Sequence, residues 1–155
     1  MKNNACFFIS FCLCCIIVSC QQTQPDSFLS KEEMRKIVRR NDDLFSEGVK
    51  TKNASLLGDI YSDSAQYVQP DRAILDGKDS IRKDWEHFVG LKEKPLDLVF
   101  NIHDVRGNRE IIYETGDGFT LLADSSKWKF NYVNVWRLQK DASYKLEIDT
   151  YNSLK

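Results

Sequence analysis

The apolar positions change rhythm twice along the chain. From residue 5 to residue 18 they run almost unbroken. Between residues 30 and 90 they recur at three- and four-residue steps, and from Pro95 onward they alternate with polar residues. Steps of three and four mark one face of a helix, and a step of two marks one face of a strand. The chain therefore reads as an apolar leading segment, a helical half and a strand half.

In the helical half, Ser30-Lys31-Glu32-Glu33 has the form of a capping box, with the Ser hydroxyl and the Glu carboxylate each satisfying a free backbone N–H. The helix it opens carries Met34, Ile37, Val38, Leu44, Phe45 and Val49 as an apolar stripe. Asn41 falls inside that stripe, either satisfied by backbone or aimed into a cavity. Asn53 caps a second, short helix with Leu56, Leu57, Ile60 and Tyr61 on one side. Residues 61–65 are read as a turn into a strand over 66–69, which Pro70 ends. Asp76-Gly77 turns into a third helix with Ile81, Trp85 and Phe88 in register.

In the strand half, Leu96, Leu98, Phe100 and Ile102 share one face. Gly107-Asn108 leads into a strand over 110–122. The next, 128–138, puts Trp128, Phe130, Tyr132, Asn134, Trp136 and Leu138 on one side. Lys140-Asp141-Ala142 makes a hairpin into 144–152, where Tyr144, Leu146 and Ile148 are expected opposite Lys145, Glu147 and Asp149. Helices segregated from an antiparallel meander define an α+β fold. Met34, Ile37, Phe45, Ile60, Trp85, Phe130, Trp136 and Ile148 are the expected core.

Composition narrows the chemistry. With 155 residues, 42% hydrophobic and 29% charged, the chain has the make-up of one globular domain. A net charge of -1 without a basic tract argues against a nucleic-acid partner. All five cysteines, Cys6, Cys12, Cys14, Cys15 and Cys20, lie in the leading segment. That segment begins with Lys2 and has an apolar stretch of about 14 residues, short of the roughly 20 needed to span a bilayer. Its end, Ile17-Val18-Ser19-Cys20, resembles the lipobox of bacterial lipoproteins. That resemblance implies a signal peptide over 1–19, a lipid on Cys20, a tether over 20–29 and a domain over 30–155 held to a membrane of the bacterial cell envelope. An ordinary secretory signal and a retained anchor are the alternatives.

A domain without a free thiol has no cysteine nucleophile, disulfide or thiolate metal ligand. His87 and His103 lie apart, no Gly-rich phosphate loop occurs, and neither a metal nor a cofactor is expected. Tyr61, Tyr67, Trp85, Tyr132 and Trp136 are candidate aromatic walls of a pocket, with Asn41, Gln69, Asn134, Asp149 and Asn152 as its polar groups. Plain core packing is the other reading of the aromatics. Asp149 stands out among largely apolar neighbours, because a buried carboxylate needs a partner or a raised pKa. It is the one candidate catalytic base.

Four segments in order resemble the SnoaL-like and ketosteroid-isomerase-like branch of the nuclear transport factor 2-like superfamily. They are Asn41-Asp42-Asp43-Leu44-Phe45; Tyr61-Ser62-Asp63-Ser64-Ala65; Asp76-Gly77-Lys78-Asp79-Ser80-Ile81; and Val135-Trp136-Arg137-Leu138 with Tyr144-Lys145-Leu146 and Asp149-Thr150-Tyr151-Asn152-Ser153. The resemblance spans about 30–153. It implies a cone-shaped roll, with three helices packed on a strongly curved antiparallel sheet around a pocket. It also places the isomerases' base, directly before a Pro, at Gln69, and their donor Tyr at Phe45. An amide takes no proton and a phenyl ring donates none, so steroid isomerisation is not expected. The expected function is binding of a small hydrophobic or aromatic molecule. Two alternatives stand beside it: a lyase or isomerase with Asp149 as base, and an interaction module with a filled pocket, dimerising through its sheet.

Overall fold

The computed structural model describes residues 28–91 and 95–154. Cys20 and the expected signal peptide and tether up to residue 27 lie outside the described residues. The elements are α1 (Lys31–Lys50), α2 (Ala54–Asp59), β1 (Tyr61–Val68), β2 (Leu75–Asp76), α3 (Lys78–Val89), β3 (Pro95–Gly107), β4 (Ile111–Leu122), β5 (Lys127–Leu138) and β6 (Tyr144–Ser153).

The local signals act as their chemistry dictates. Ser30 Oγ accepts from the Glu33 N–H at 3.2 Å, and Glu33 Oε2 accepts from the Ser30 N–H at 2.8 Å. Asn53 Oδ1 accepts from the Leu56 N–H at 3.0 Å and starts α2. The buried line of α1 runs Met34, Val38, Asp42, Phe45, Val49. It passes through Asp42 rather than Asn41, which sits about 100° around the helix and turns its amide to the Ile37 carbonyl at 3.1 Å. Helix α3 buries Ile81, Trp85 and Val89, with Phe88 half-buried beside them.

The six strands form one sheet in the order β2-β1-β6-β5-β4-β3. Pairing is antiparallel except between β1 and β6, which run parallel. β1 starts at Tyr61 rather than at residue 66. Tyr61 pairs with Leu146, and Ser62 donates to Glu147 at 2.9 Å, so the polar stretch expected as a turn is held extended by β6. The two-residue β2 adds an edge that the sequence pattern did not show.

Curvature comes from irregularities in the ladder. Register shifts at Ile102/Asp104 in β3 and at Val135/Trp136 in β5 bend the sheet around α1 and α3. At the second shift, Trp136 pairs with Leu146 and Val135 with Ile148, leaving Glu147 as the extra residue. The alternation of β6 inverts there. Ile148, expected in the core, is 37% exposed, and Asp149 faces inward. Ile37 is partly rather than fully buried. On β4, Gly116 and Gly118 make room for the rings of the next strand. A Cβ at Gly116 would lie 2.5 Å from Tyr132 Oη, and one at Gly118 would lie 2.7 Å from a Phe130 ring carbon.

The core fills the concave side of the sheet. α1 is stitched to β3 by Lys31 with Asp104, Arg35 with the carbonyls of Ile102 and His103, Arg39 with that of Phe100, and Ser46 and Lys50 with Asp97. This is the α+β architecture the sequence pattern predicts, in the cone form the resemblance implies.

Candidate functional site

Between α1, α3 and the concave sheet lies a cavity of about 600 Å³. Phe45, Tyr67, Trp85, Phe88, Leu98, Phe100, Phe130, Tyr132 and Tyr151 supply most of its wall. Strand register sets out its floor. Tyr67 on β1 pairs with Asp149 on β6, Asp149 with Asn134 on β5, and Asn134 with Glu114 on β4. All four are buried and form one transverse row on the inner face.

Asp149 Oδ2 accepts from the Tyr61 hydroxyl at 2.5 Å, and that hydroxyl accepts from Trp85 Nε1 at 3.3 Å. Burial pushes the Asp149 carboxyl up to about 7, with the Tyr61 bond opposing and the nearby Glu114 charge adding to the rise. Burial likewise carries the Tyr61 and Tyr67 phenols well above their ordinary value, so both are neutral donors.

Glu114 is better held. Its Oε1 accepts from Tyr132 Oη at 2.6 Å and its Oε2 from Trp136 Nε1 at 2.9 Å. Asp42, at the middle of α1, is buried where the Glu114 charge acts on it. No donor reaches either Asp42 oxygen, and Arg39 Nη1 stays 4.0 Å away. Burial first, then the Glu114 charge, push the Asp42 carboxyl up. Two buried carboxyls whose charges repel resist ionising together. Asp42, whose oxygens no donor reaches, is the one that keeps its proton.

Asn134 stands between the two acids. Its nitrogen sits 3.5 Å from Glu114 Oε2. With the amide turned over, it reaches Asp149 Oδ1 at 3.3 Å and the Val133 carbonyl at 3.2 Å. The turned amide makes the shorter bonds and relieves an acceptor-to-acceptor contact, so we assign it as the better orientation.

Another polar group lies just past the end of β1. Gln69, only 7% exposed, donates to Asp84 Oδ2 at 2.7 Å, and Arg72 pairs with the other Asp84 oxygen at 2.8 Å. Gln69 Oε1 has no donor.

Of the sequence candidates, Tyr67, Gln69, Trp85, Tyr132, Asn134 and Asp149 line the cavity. Tyr61 and Trp136 lie behind the wall, as hydrogen-bond donors to Asp149 and Glu114. Two do not join the site. Asn41 is off the buried line of α1, and Asn152 is exposed on the opposite face of β6 from Asp149 and Tyr151. Phe45 and Gln69, the positions matched to the isomerase donor and base, both line the cavity, without a hydroxyl or carboxyl between them. Asp42 and Glu114 were missed. Glu114 shares the inward alternation of Ile112, Gly116, Gly118 and Thr120, which was the available signal.

No protein-family model matches the chain, and no curated protein matches it. Solved structures do. A nuclear transport factor 2-like superfamily protein from Salmonella enterica serovar Typhimurium superposes with a TM-score of 0.63 at 9% identity, over 81% of this chain and 94% of that one. A ketosteroid isomerase-like protein from Erwinia carotovora atroseptica gives 0.62 at 10% identity, over 77% and 95%. A Nostoc punctiforme protein of unknown function with a cystatin-like fold gives 0.68 at 8% identity, over 82% and 95%. The chain has the nuclear transport factor 2-like fold. At these identities the likeness concerns the fold alone, and function has to be argued from the site.

Proposed function

We propose that the domain binds a small hydrophobic or aromatic molecule inside the cone. The observation that carries this reading is the cavity itself: about 600 Å³, walled largely by aromatic side chains, with Asp149, Asn134 and Gln69 among its polar groups. An interaction module with a filled pocket would have that space occupied by side chains. Apolar walls with a few placed polar groups are the usual make-up of a small-molecule site. Native mass spectrometry of the protein purified from its own host tests the reading. A small-molecule mass should travel with the wild type and be lost in Leu98→Trp, which fills the cavity. Ligand-free protein in both preparations would contradict it.

A second reading, a lyase or isomerase with Asp149 as base, is favoured by one observation: a cavity-lining carboxyl titrating near neutrality. Against it, Tyr61 already holds one oxygen of that carboxyl.

The same proposal places the domain on a bacterial envelope membrane through a lipid on Cys20, supported by the Ile17-Val18-Ser19-Cys20 pattern. Metabolic labelling with a fatty-acid analogue should tag wild type and not Cys20→Ala. Equal labelling of both would remove the anchor.

A further inference from the structure

The cavity floor carries a buried acid with no cation paired to it. Asp149 lines the cavity, and Glu114 and Asp42 are buried beyond its lining, with the Glu114 charge acting on both of the others. Tyr132 and Trp136 are committed to Glu114, and Tyr61 to one oxygen of Asp149. The Asn134 amide, turned as assigned above, gives the other Asp149 oxygen a long bond of 3.3 Å. Gln69 Oε1 adds a buried acceptor with no donor, on a cavity-lining side chain just past the end of β1.

Positive charge does not balance this. Facing Asp149 are Tyr61 and Tyr67 from β1, Asn134 from β5, Glu114 from β4 and Trp85 from α3. Among the described residues, no Lys, Arg or His forms an ion pair with Asp149 or Glu114. The nearest cation to the group is Arg39, 4.0 Å from Asp42 and donating to the Phe100 carbonyl. Three basic residues line the cavity wall: Arg72 is paired with Asp84, Lys127 lies over the Phe119 ring, 4.2 Å from its centre, and His87 makes no ion pair with Asp149. The Tyr67 and Trp85 rings stack at an interplanar angle of 8° on the wall beside Asp149. Aromatic faces attract a cation and give an anion nothing equivalent.

We propose that the cavity takes a cationic amine: a hydrophobic or aromatic ligand whose ammonium group reaches the Asp149 carboxylate among the Tyr67 and Trp85 rings. The proposal rests on the pocket reading above and adds the ligand's charge to it. A buried carboxylate is costly without a charged partner, and a charge-assisted hydrogen bond is roughly twice as strong as a neutral one. An ammonium therefore gains at this floor what an alcohol of equal shape does not, and a carboxylate meets repulsion. Since Asp149 is partly protonated at neutral pH, amine binding displaces its proton.

Three probes of one shape test this on the full-length chain in mild detergent: 2-naphthylmethylamine, 2-naphthalenemethanol and 2-naphthoate. At pH 8, calorimetry should show the amine binding at least tenfold tighter than the alcohol, with the naphthoate weakest. At pH 6, the amine's binding heat should depend on the buffer's ionisation enthalpy, reporting a released proton. Asp149→Asn should bring the amine within threefold of the alcohol. If that variant does not fold, the wild-type affinity ratio and proton release decide. An alcohol that binds as well as the amine, or a naphthoate that binds best, overturns the ammonium assignment and leaves the pocket standing. Failure of all three to bind at millimolar concentration overturns the pocket reading as well.

Discussion

At the scale of single residues, the chain keeps acids where water does not reach. Asp42 and Glu114 are 2% and 0% exposed, and Asp149 is 9% exposed. The consequence for pH has a definite sign. Asp149 ionises near 4 in the unfolded chain and at about 7 in the folded one, so the folded state holds the extra proton between those values. Its contribution to stability is full below about pH 4 and is lost as pH rises through 7. Denaturant melts of wild type and Asp149→Asn should therefore diverge, the variant gaining up to about 4 kcal/mol on the wild type between pH 4 and 8. A difference independent of pH would show that Asp149 titrates normally. At this scale the sequence showed Asp149 as an acid among apolar neighbours. Asp42 and Glu114, buried where their charges act on one another, stand 72 positions apart in the chain, and no local pattern carries such a pairing.

Whole elements were the most legible. Capping at Ser30 and Asn53 and the alternation in β4 and β5 follow from local chemistry, and the structure agrees with them within a residue or two, whereas in β3 the register shift between Pro95 and Asp97 leaves Leu96, expected beside Leu98, 46% exposed. What stayed hidden depends on neighbours. The extended start of β1 needs β6 beside it, and the extra residue at Glu147 is defined only by its pairing with β5. That one residue turns Asp149 inward and Ile148 outward, so the candidate site exists because a period-two expectation fails at one position. Phe45 is the clearest test of how the helices hold the cone. It is 1% exposed and meets Tyr61, Trp85 and Phe100 with ring centres 5.5 to 5.9 Å away. Phe45→Ala should cost about 3 to 5 kcal/mol in a denaturant melt. A loss near zero would mean that α1 does not seat on the sheet as described.

For the whole molecule, the fold and the chemistry separate. The cone and the cavity-facing positions of Phe45 and Gln69 match the arrangement expected of ketosteroid isomerases, but the side chains there cannot donate or accept the proton that reaction moves. Purified protein should show no turnover of a Δ5-3-ketosteroid above buffer, since a missing general base alone removes typically 10²- to 10⁴-fold. Robust turnover would move the base to Asp149 and revive the enzymatic reading.

The central claim is that the cone is open and takes a small aromatic molecule. Trp85 and Trp128 both line the cavity, so their fluorescence reports its occupancy directly. A titration with 2-naphthol should quench the wild type with a saturable curve and leave Leu98→Trp, equally folded by circular dichroism, without a saturable phase. Linear, non-saturating quenching in both proteins would contradict an accessible cavity.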